Sequence, residues 1–354
     1  TLPDKQGNFS FIVTPGTYLL LGFEDLNFNQ RHDKGEPIGA WGLPDAIVVP
    51  EGPKTKAVAA SLIDMNFALA SNSVPIDGVT VSAERVVQMS PLLVKMGQVA
   101  NWEDPIFDEE HGSTGYWKPV TFLKSHGTGI YFMAPYDRRK IPILFVHGAS
   151  GTPRGWRPLA ESLDQSRFQP WVFYYPSGLR LDQTAAFLNN LIKRLQLVHG
   201  FERMGVVAHS MGGLVSRAFI VKHLVEDGLG TVRVLVSISS PWGGVRMADK
   251  GVERAPEAIP SWHDVATESS FLQQLFSDSI RSQVSHYLIF GYRGDCSIFM
   301  ANNDGTVEIS SQLDLRAQKD ATAGWGLDED HMSILTSQET FAYMNQSLAA
   351  AFAE

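Results

Sequence analysis

The stretch from residue 204 to residue 217 constrains the fold of this chain more than any other. Its first half contains a short apolar run, residues 206–208, of the kind that forms a buried parallel strand. From residue 212 to about residue 225, apolar residues recur at helical spacing instead. A strand that turns directly into a helix strains the backbone of the corner residue and pushes its side chain out above the sheet. The sequence therefore predicts that Ser210 occupies such a corner.

Small residues on both sides of Ser210 let the strand and the helix pass each other. Ala208 stands two residues before it and Gly212 two residues after it, which matches a Gly-x-Ser-x-Gly nucleophile elbow with alanine at the first position. An ordinary turn would also accept a serine between small residues, but it would require neither the strand nor the helix. The segment Ala-His-Ser-Met-Gly-Gly resembles the elbow of α/β-hydrolase lipases and esterases. This resemblance implies a serine hydrolase that cleaves carboxylic esters through an acyl-enzyme intermediate.

Strand and helix patterns alternate from residue 136 to residue 354. This alternation predicts an α/β domain whose mostly parallel sheet has helices on both faces, as the resemblance to α/β hydrolases also implies. The expected strands lie at residues 142–146, 170–175, 206–208, 232–238 and 286–292. The expected helices lie at residues 155–163, after Asp182, at 212–225, and after a capping box at residues 336–339.

Residues 1–135 are predicted to form a smaller, all-β, sandwich-like domain. Short apolar strands alternate with turn residues there, at 8–13, 18–23, 46–49, 57–63, 79–81, 120–123 and 130–133. Residues 83–96 alone offer a helical period. Residues 103–116 carry five carboxylates and two glycines, so we expect a surface loop.

Residues 25–36 have the spacing of a calcium loop. Oxygen-bearing side chains fall at positions 1, 3, 5, 9 and 12, and a main-chain carbonyl is available at position 7. Position 6 is Gln30 where an EF-hand has glycine, and a strand precedes the loop. The segment resembles Asp-x-Asn-x-Asn/Asp loops in β-sandwich modules of bacterial surface proteins. The predicted ligands of a structural Ca²⁺ are Asp25, Asn27, Asn29, Arg31, Asp33 and Glu36; the alternative is a solvated hairpin without an ion.

A serine hydroxyl is a weak nucleophile and needs a general base. In the α/β-hydrolase order the acid and then the histidine follow the serine. His223 lies within the predicted helix after the elbow, His263 lies in a long insertion, and His286 opens a strand. His331 lies in a loop before the last helix, where the carboxyl ends of the strands meet. We therefore predict His331 as the base.

The acid that orients this base should follow the penultimate strand. Asp304 stands in Asn-Asp-Gly-Thr-Val, which resembles the Asp-Gly-x-Val motif of many lipases. Asp295, in Gly-Asp-Cys, is the main alternative, and Asp314 and Asp328 are further candidates. We predict Asp304 as the acid.

An oxyanion hole requires two main-chain N–H donors. The residue after the nucleophile, Met211, supplies one. The loop after His147-Gly148 follows the first strand of the hydrolase region, so Ala149 is predicted to supply the second.

Residues 243–283 form a long insertion between two predicted strands. The segment leading into it, Ser-Ser-Pro-Trp-Gly-Gly, is similar to the Thr-Pro-His/Trp-Gly-Gly segment of lipases and related deacylases. Its tryptophans and phenylalanines favour either a packed cap or a mobile lid over an acyl pocket. We expect an ester substrate with an apolar acyl chain.

Composition excludes several other classes. The chain has 29 Lys and Arg against 38 Asp and Glu, a net charge of −9, which disfavours nucleic acid as the main partner. Its single cysteine, Cys296, excludes an intrachain disulfide. No apolar run approaches the roughly 18 residues of a transmembrane helix. Catalysis by the predicted triad needs no cofactor.

Several alternatives stay open at this point. The same triad serves acyltransferases, thioesterases and amidases, and a non-catalytic envelope binding module is a different class altogether. The chain starts at Thr1, which either a removed export signal or a trimmed chain would explain. We expect a bacterial protein that is exported or associated with the cell envelope, at the periphery of lipid or of the envelope.

Overall fold

Every residue of β9 (Met204–His209), the strand before Ser210, is buried. The same is true of its neighbour β7 (Ile141–Val146). Strands buried on both faces belong to the middle of a sheet covered by helices. The computed structural model describes residues 16–24, 36–41, 47–49, 94–254, 258–294 and 302–353.

An eight-stranded sheet surrounds β9 and β7. Its other members are β5 (Val94–Val99), β6 (Thr128–Phe132), β8 (Phe168–Tyr174), β10 (Val232–Ile238), β11 (Ser285–Gly291) and β12 (Ala321–Leu327). Across the sheet the order is β12-β11-β10-β9-β7-β8-β6-β5. All neighbours from β12 to β8 run parallel, whereas β6 pairs antiparallel with β8. The predicted mostly parallel sheet is confirmed.

Helices pack on the sheet and rim its carboxyl edge. In chain order they are α1 (Glu109–Trp117), α2 (Pro119–Ser125), α3 (Arg157–Glu161), α4 (Leu181–His199), α5 (Met211–Val221), α6 (Arg246–Arg254), α7 (Trp262–Val265), α8 (Ser270–Gln274), α9 (Ile309–Gln312), α10 (Leu315–Asp320) and α11 (Gln338–Ala351). One core joins Leu159 of α3 and Leu348 of α11 to Phe145, Val207 and Val236 of the strands. Helix α4 packs on α5, which packs on β7, β9 and β10.

The sheet begins earlier in the chain than residue 136, the predicted start of the hydrolase domain. Strands β5 and β6 both belong to it, and residues Lys95–Glu354 fall in one compact unit. The predicted boundary therefore lies between two strands of one sheet. The antiparallel pairing of β6 with β8 is the physical reason, because that ladder ties residues 128–132 to the hydrolase region.

Two segments before β6 form helices that the sequence did not predict. Residues 103–116 contain a short 3₁₀ helix, Pro105–Phe107, and most of α1, instead of a surface loop. Residues 120–123, a predicted strand, lie in α2, which Pro119 opens at its first turn. The apolar run 120–123 was too short to distinguish a strand from a buried helix.

The described residues of a second compact unit, Ile12–Val94, include four short strands. Strands β1 (Gly16–Tyr18) and β4 (Ile47–Val49) form one antiparallel pair. Strands β2 (Leu20–Phe23) and β3 (Ile38–Trp41) form another. The sandwich-like arrangement of this region stays a prediction.

The insertion after β10 is held firmly at two places. The carboxylate of Asp264, fully buried in α7, accepts hydrogen bonds from Arg180 Nε (2.9 Å) and from the Leu181 N–H (2.7 Å). Arg217 of α5 donates to the carbonyls of Leu275 and Asp278 and pairs with the Asp320 carboxylate. These contacts fix the middle and the end of the insertion to the core.

No helix in the described segments combines the length and the apolar character needed to cross a membrane.

Candidate active site

Ser210 stands at the corner between β9 and α5. Its φ is 54° and its ψ is −132°, a main-chain conformation that residues other than glycine rarely adopt. A Cβ on Gly212 would lie 2.3 Å from the Val146 carbonyl oxygen, so only glycine lets α5 start this close to β7. The strained serine and the tight crossing are the geometry of a nucleophile elbow.

The structure brings the three predicted triad residues together. Ser210 Oγ lies 3.0 Å from His331 Nε2, and His331 Nδ1 lies 2.7 Å from Asp304 Oδ2. All three side chains are buried, with Asp304 fully so. The three residues come from three different loops at the carboxyl edge of the sheet, after β9, β11 and β12.

Asp304 is surrounded by donors. Burial by itself would raise the pKa of its carboxyl, but the hydrogen bond from His331 and the attraction to that ring oppose it. The main-chain N–H groups of Val307 (2.7 Å) and Thr306 (3.0 Å) add to this effect. The net result is a pKa below the ordinary aspartate value, so the carboxylate is ionised at neutral pH.

The ionised Asp304 determines the tautomer of His331. A carboxylate only accepts hydrogen bonds, so the neutral ring carries its proton on Nδ1. The lone pair of Nε2 then faces the Ser210 hydroxyl, which is the arrangement a general base needs.

Two main-chain N–H groups are available for an oxyanion. Neither the Ala149 nor the Met211 N–H donates to another group in the described part of the chain. Met211 opens α5, so the positive end of that helix adds to its N–H. Gly148, before Ala149, approaches Ser210 so closely that a Cβ there would lie 2.7 Å from the Ser210 Cβ. Both predicted donors therefore lie beside the nucleophile.

His147 supports the loop that carries Ala149. Its ring stacks on Tyr175 with the centroids 4.3 Å apart, and its Nδ1 lies 2.9 Å from the Gly148 carbonyl oxygen. Burial lowers the pKa of His147 to about 4, so the ring is neutral. The hydrogen bond to the Gly148 carbonyl holds the orientation of that peptide, whose other side is the Ala149 N–H.

Helix α1 also packs on this loop, a feature that the sequence did not indicate. A Cβ on Gly112 would lie 2.4 Å from the Ser150 carbonyl oxygen. At the end of the same helix, Tyr116 accepts a 2.7 Å hydrogen bond from Trp262 of the insertion. Trp117, the next residue, has 58% of its surface exposed. Helix α1 thus links the loop that carries Ala149 to the insertion.

His209, immediately before the nucleophile, was not among the candidates. It is buried, and its Nε2 lies 2.8 Å from the main-chain oxygen of His331. The signal that could have identified His209 as a site residue is its place as an ionisable residue inside the elbow motif.

The other candidates lie away from these atoms. His223 is buried among Asn189 and Thr231, and His286 contacts Ser237. Asp314 caps α10, and Asp328 pairs with Arg293 on the surface. His263 is exposed. Asp295, the alternative acid, lies outside the described residues.

The predicted calcium loop also lies outside the described residues, except for Glu36, which is buried. Within the described ranges, no group of three or more His, Cys, Asp or Glu side chains is arranged to hold a metal ion. Calcium binding at residues 25–36 stays a prediction.

A family model described as "Alpha/beta hydrolase of unknown function (DUF915)" matches residues 178–317, a range that includes Ser210 and Asp304. No curated protein matches the chain. Similar solved structures include mature Bacillus licheniformis lipase BlEst2, at 18% identity and a TM-score of 0.48, covering 61% of this chain and 96% of the lipase. A product of the Listeria innocua gene lin2722 has 18% identity and a TM-score of 0.44, with 59% and 94% covered. Legionella pneumophila phospholipase PlaB has 14% identity and a TM-score of 0.48, with 59% of each chain covered.

Proposed function

We propose that this chain is a serine hydrolase that cleaves carboxylic esters through an acyl-enzyme intermediate. The observation that carries the proposal is the unbroken chain of contacts from Ser210 Oγ through both ring nitrogens of His331 to Asp304. The N–H groups of Ala149 and Met211, which donate to nothing in the part of the chain that the structure describes, support it further, because acyl transfer develops negative charge on the carbonyl oxygen.

The first half-reaction would acylate the serine. Ser210 Oγ attacks the ester carbonyl carbon while His331 Nε2 takes the hydroxyl proton, and the carbonyl electron pair moves to the oxygen held by Ala149 and Met211. When the tetrahedral intermediate collapses, the bond to the alcohol oxygen breaks, and that oxygen takes the proton from His331. The acyl group stays on Ser210.

The second half-reaction would release the acid. A water molecule gives a proton to His331 and attacks the acyl carbon, and the collapse of the second intermediate returns the proton to Ser210. Asp304 stabilises the positive charge on His331 in both halves without taking its proton. None of these steps needs a cofactor.

An apolar acyl chain is the substrate class we propose. Two large apolar side chains, on segments that contact the site, are mostly exposed: Met332, next to His331 in the sequence, at 64%, and Trp117 of α1 at 58%. Of the apolar residues that suggested an acyl pocket, Trp242 and Leu272 are buried, whereas Met247 of α6 is exposed. The support for this substrate class therefore comes from the exposed apolar side chains.

A series of p-nitrophenyl esters from acetate to octanoate tests the proposal. Each methylene buried by the enzyme is worth about 0.8 kcal/mol, close to fourfold in kcat/KM, so two or three added methylenes should raise kcat/KM by tens of fold. Ser210→Ala should abolish turnover of every ester. A flat series would leave a small-ester esterase. If thioesters or amides are turned over faster, or if the acyl group passes to an acceptor other than water, the reaction is reassigned. If no turnover depends on Ser210, the chain is a non-catalytic module. The exported or envelope location stays a prediction.

A further inference from the structure

His209 and His331 are in direct contact although 122 residues separate them along the chain. His209 ends β9, the strand that leads into the nucleophile, and its ring centroid lies 4.6 Å from that of His331. Its Nε2 lies 2.8 Å from the His331 main-chain oxygen. The residue beside the nucleophile therefore touches the residue that serves as the base.

The direction of this hydrogen bond follows from chemistry. A main-chain carbonyl can only accept, so Nε2 of His209 carries the proton and donates. Burial first, and the neighbouring His331 second, lower the pKa of His209 to about 3, so its ring is neutral near neutral pH. A nitrogen that already donates cannot take the proton of Ser210. Nε2 of His209 is therefore not available as a second base.

The main chain of His331 is held on both sides. Its N–H donates to the Asp304 carbonyl (2.7 Å), and its C=O accepts from His209. The other polar contacts of residues 328–333 within the described chain are with one another, with residues 334–336, with Arg293 and with Asp304. Apart from the Ser210–His331 contact itself, the bond from His209 is the only polar contact among the described residues that ties this loop to the strand that bears the nucleophile.

We propose that His209 is a positioning residue: through the His331 carbonyl it fixes the distance between the base and Ser210. The role rests on the proposed function, because it concerns the proton transfer between these two side chains. Displacing a catalytic group by about 1 Å can cost about a hundredfold in rate. A hydrogen bond that joins the two loops directly is a physical means of preventing such a displacement.

A pair of substitutions separates the hydrogen bond from the bulk of the ring. In His209→Gln the side-chain amide nitrogen lies as many bonds from Cβ as Nε2 does in histidine. It can therefore still donate to the His331 carbonyl. His209→Leu removes the donor and keeps an apolar body. We expect kcat of His209→Leu to fall about 10- to 100-fold with KM within about threefold, and His209→Gln to keep kcat within about threefold of the wild type.

Two further measurements exclude a merely structural effect. The rate at which a fluorophosphonate labels Ser210 should fall in His209→Leu in parallel with kcat. His286→Leu is the matched control, because His286 is also buried but contacts none of the three triad residues. The kcat of this variant, per labelled molecule, should match that of the wild type even if its melting temperature falls.

The proposal is overturned if folded His209→Leu keeps wild-type kcat and labelling rate. If His209→Leu does not fold, His209→Asn replaces it, since the shorter asparagine cannot reach the carbonyl; equal kcat of the Asn and Gln variants would then contradict the proposal. Failure of the wild-type protein itself to label would instead contradict the proposed function.

Discussion

The charge of Asp304 determines whether His331 can act as a base. Replacing this carboxylate by an amide in Asp304→Asn keeps the shape of the site, but the amide can donate to Nδ1 and so favours the wrong tautomer of His331. We predict that kcat falls about 10³- to 10⁴-fold with little change in KM, measured by steady-state ester hydrolysis.

The matched control for this prediction is Asp328→Asn. Asp328 was also a candidate acid, but it is exposed and contacts Arg293. Its kcat should stay within about twofold of the wild type. Loss of activity in Asp328→Asn with full activity in Asp304→Asn would show that another carboxylate orients the base.

Much of the site could be predicted at the level of single residues. The strand-to-helix turn identified Ser210, and the order of motifs along the chain selected Asp304 and His331 among several carboxylates and histidines. His209 could not be assigned a role, because its partner is a main-chain carbonyl more than a hundred residues away. Neither that carbonyl nor the side-chain direction of His209 has a signature in the sequence.

At the scale of elements, the crossing of α5 over β7 depends on Gly212. A Cβ there would lie 2.3 Å from the Val146 carbonyl oxygen and 2.5 Å from that of His147. Gly212→Ala must therefore push the start of α5, and with it Ser210 and the Met211 N–H, away from the sheet. We predict a loss of about 1–3 kcal/mol in the free energy of unfolding, measured with urea, and at least a hundredfold loss of kcat/KM.

Gly155→Ala is the control for the glycine substitution. A Cβ on Gly155 would have no heavy atom within 4 Å. Its free energy of unfolding should stay within about 0.5 kcal/mol of the wild type, with unchanged activity. Equal stability and activity of both variants would mean that the crossing is looser than the structure indicates.

The elements that the sequence missed are those that tertiary packing creates. Helix α1 contains glycines and consecutive carboxylates, and its local sequence favours no helix. A Cβ on its buried Gly112 would clash with the loop that carries Ala149, and a Cβ on its buried Gly115 would lie 3.0 Å from the Phe122 ring. The long helix α4 and the strands around β9 were predictable because their apolar residues repeat with a clear period.

For the whole molecule, buried neutral histidines make stability depend on pH. Burial lowers the pKa of His147 and His223 to about 4 and of His209 and His286 to about 3. In the unfolded chain each titrates near 6.5, so between about pH 6.5 and 4 the unfolded chain binds more protons. Stability is therefore lost as the pH falls through this window, by about 1.4 kcal/mol per pH unit for each histidine.

Melting temperatures at pH 7.5, 6 and 5 test this dependence. We predict a steady decrease toward low pH, and a shallower decrease in His286→Gln, which removes one of the four groups. A melting temperature that is flat or rises from pH 7.5 to 5 would show that these histidines are not buried in the neutral form.

A structural calcium ion would affect stability rather than chemistry. If residues 25–36 bind Ca²⁺, an ion concentration about a hundred times Kd should stabilise the folded chain by about 2.7 kcal/mol. We predict a higher melting temperature in millimolar CaCl₂ than in EDTA, lost in Asp25→Asn/Asp33→Asn, with ester turnover unchanged at low temperature. Identical curves would leave a polar hairpin without an ion.

The acyl-enzyme is the central claim for the molecule, and mass spectrometry of protein quenched in acid during ester turnover tests it most directly. We predict that part of the wild-type chain gains the mass of one acyl group on the peptide that contains Ser210, and that Ser210→Ala gains none. Two results would contradict the account. One is ester turnover with no adduct on any wild-type peptide, even when deacylation is slowed. The other is an adduct on a residue other than Ser210.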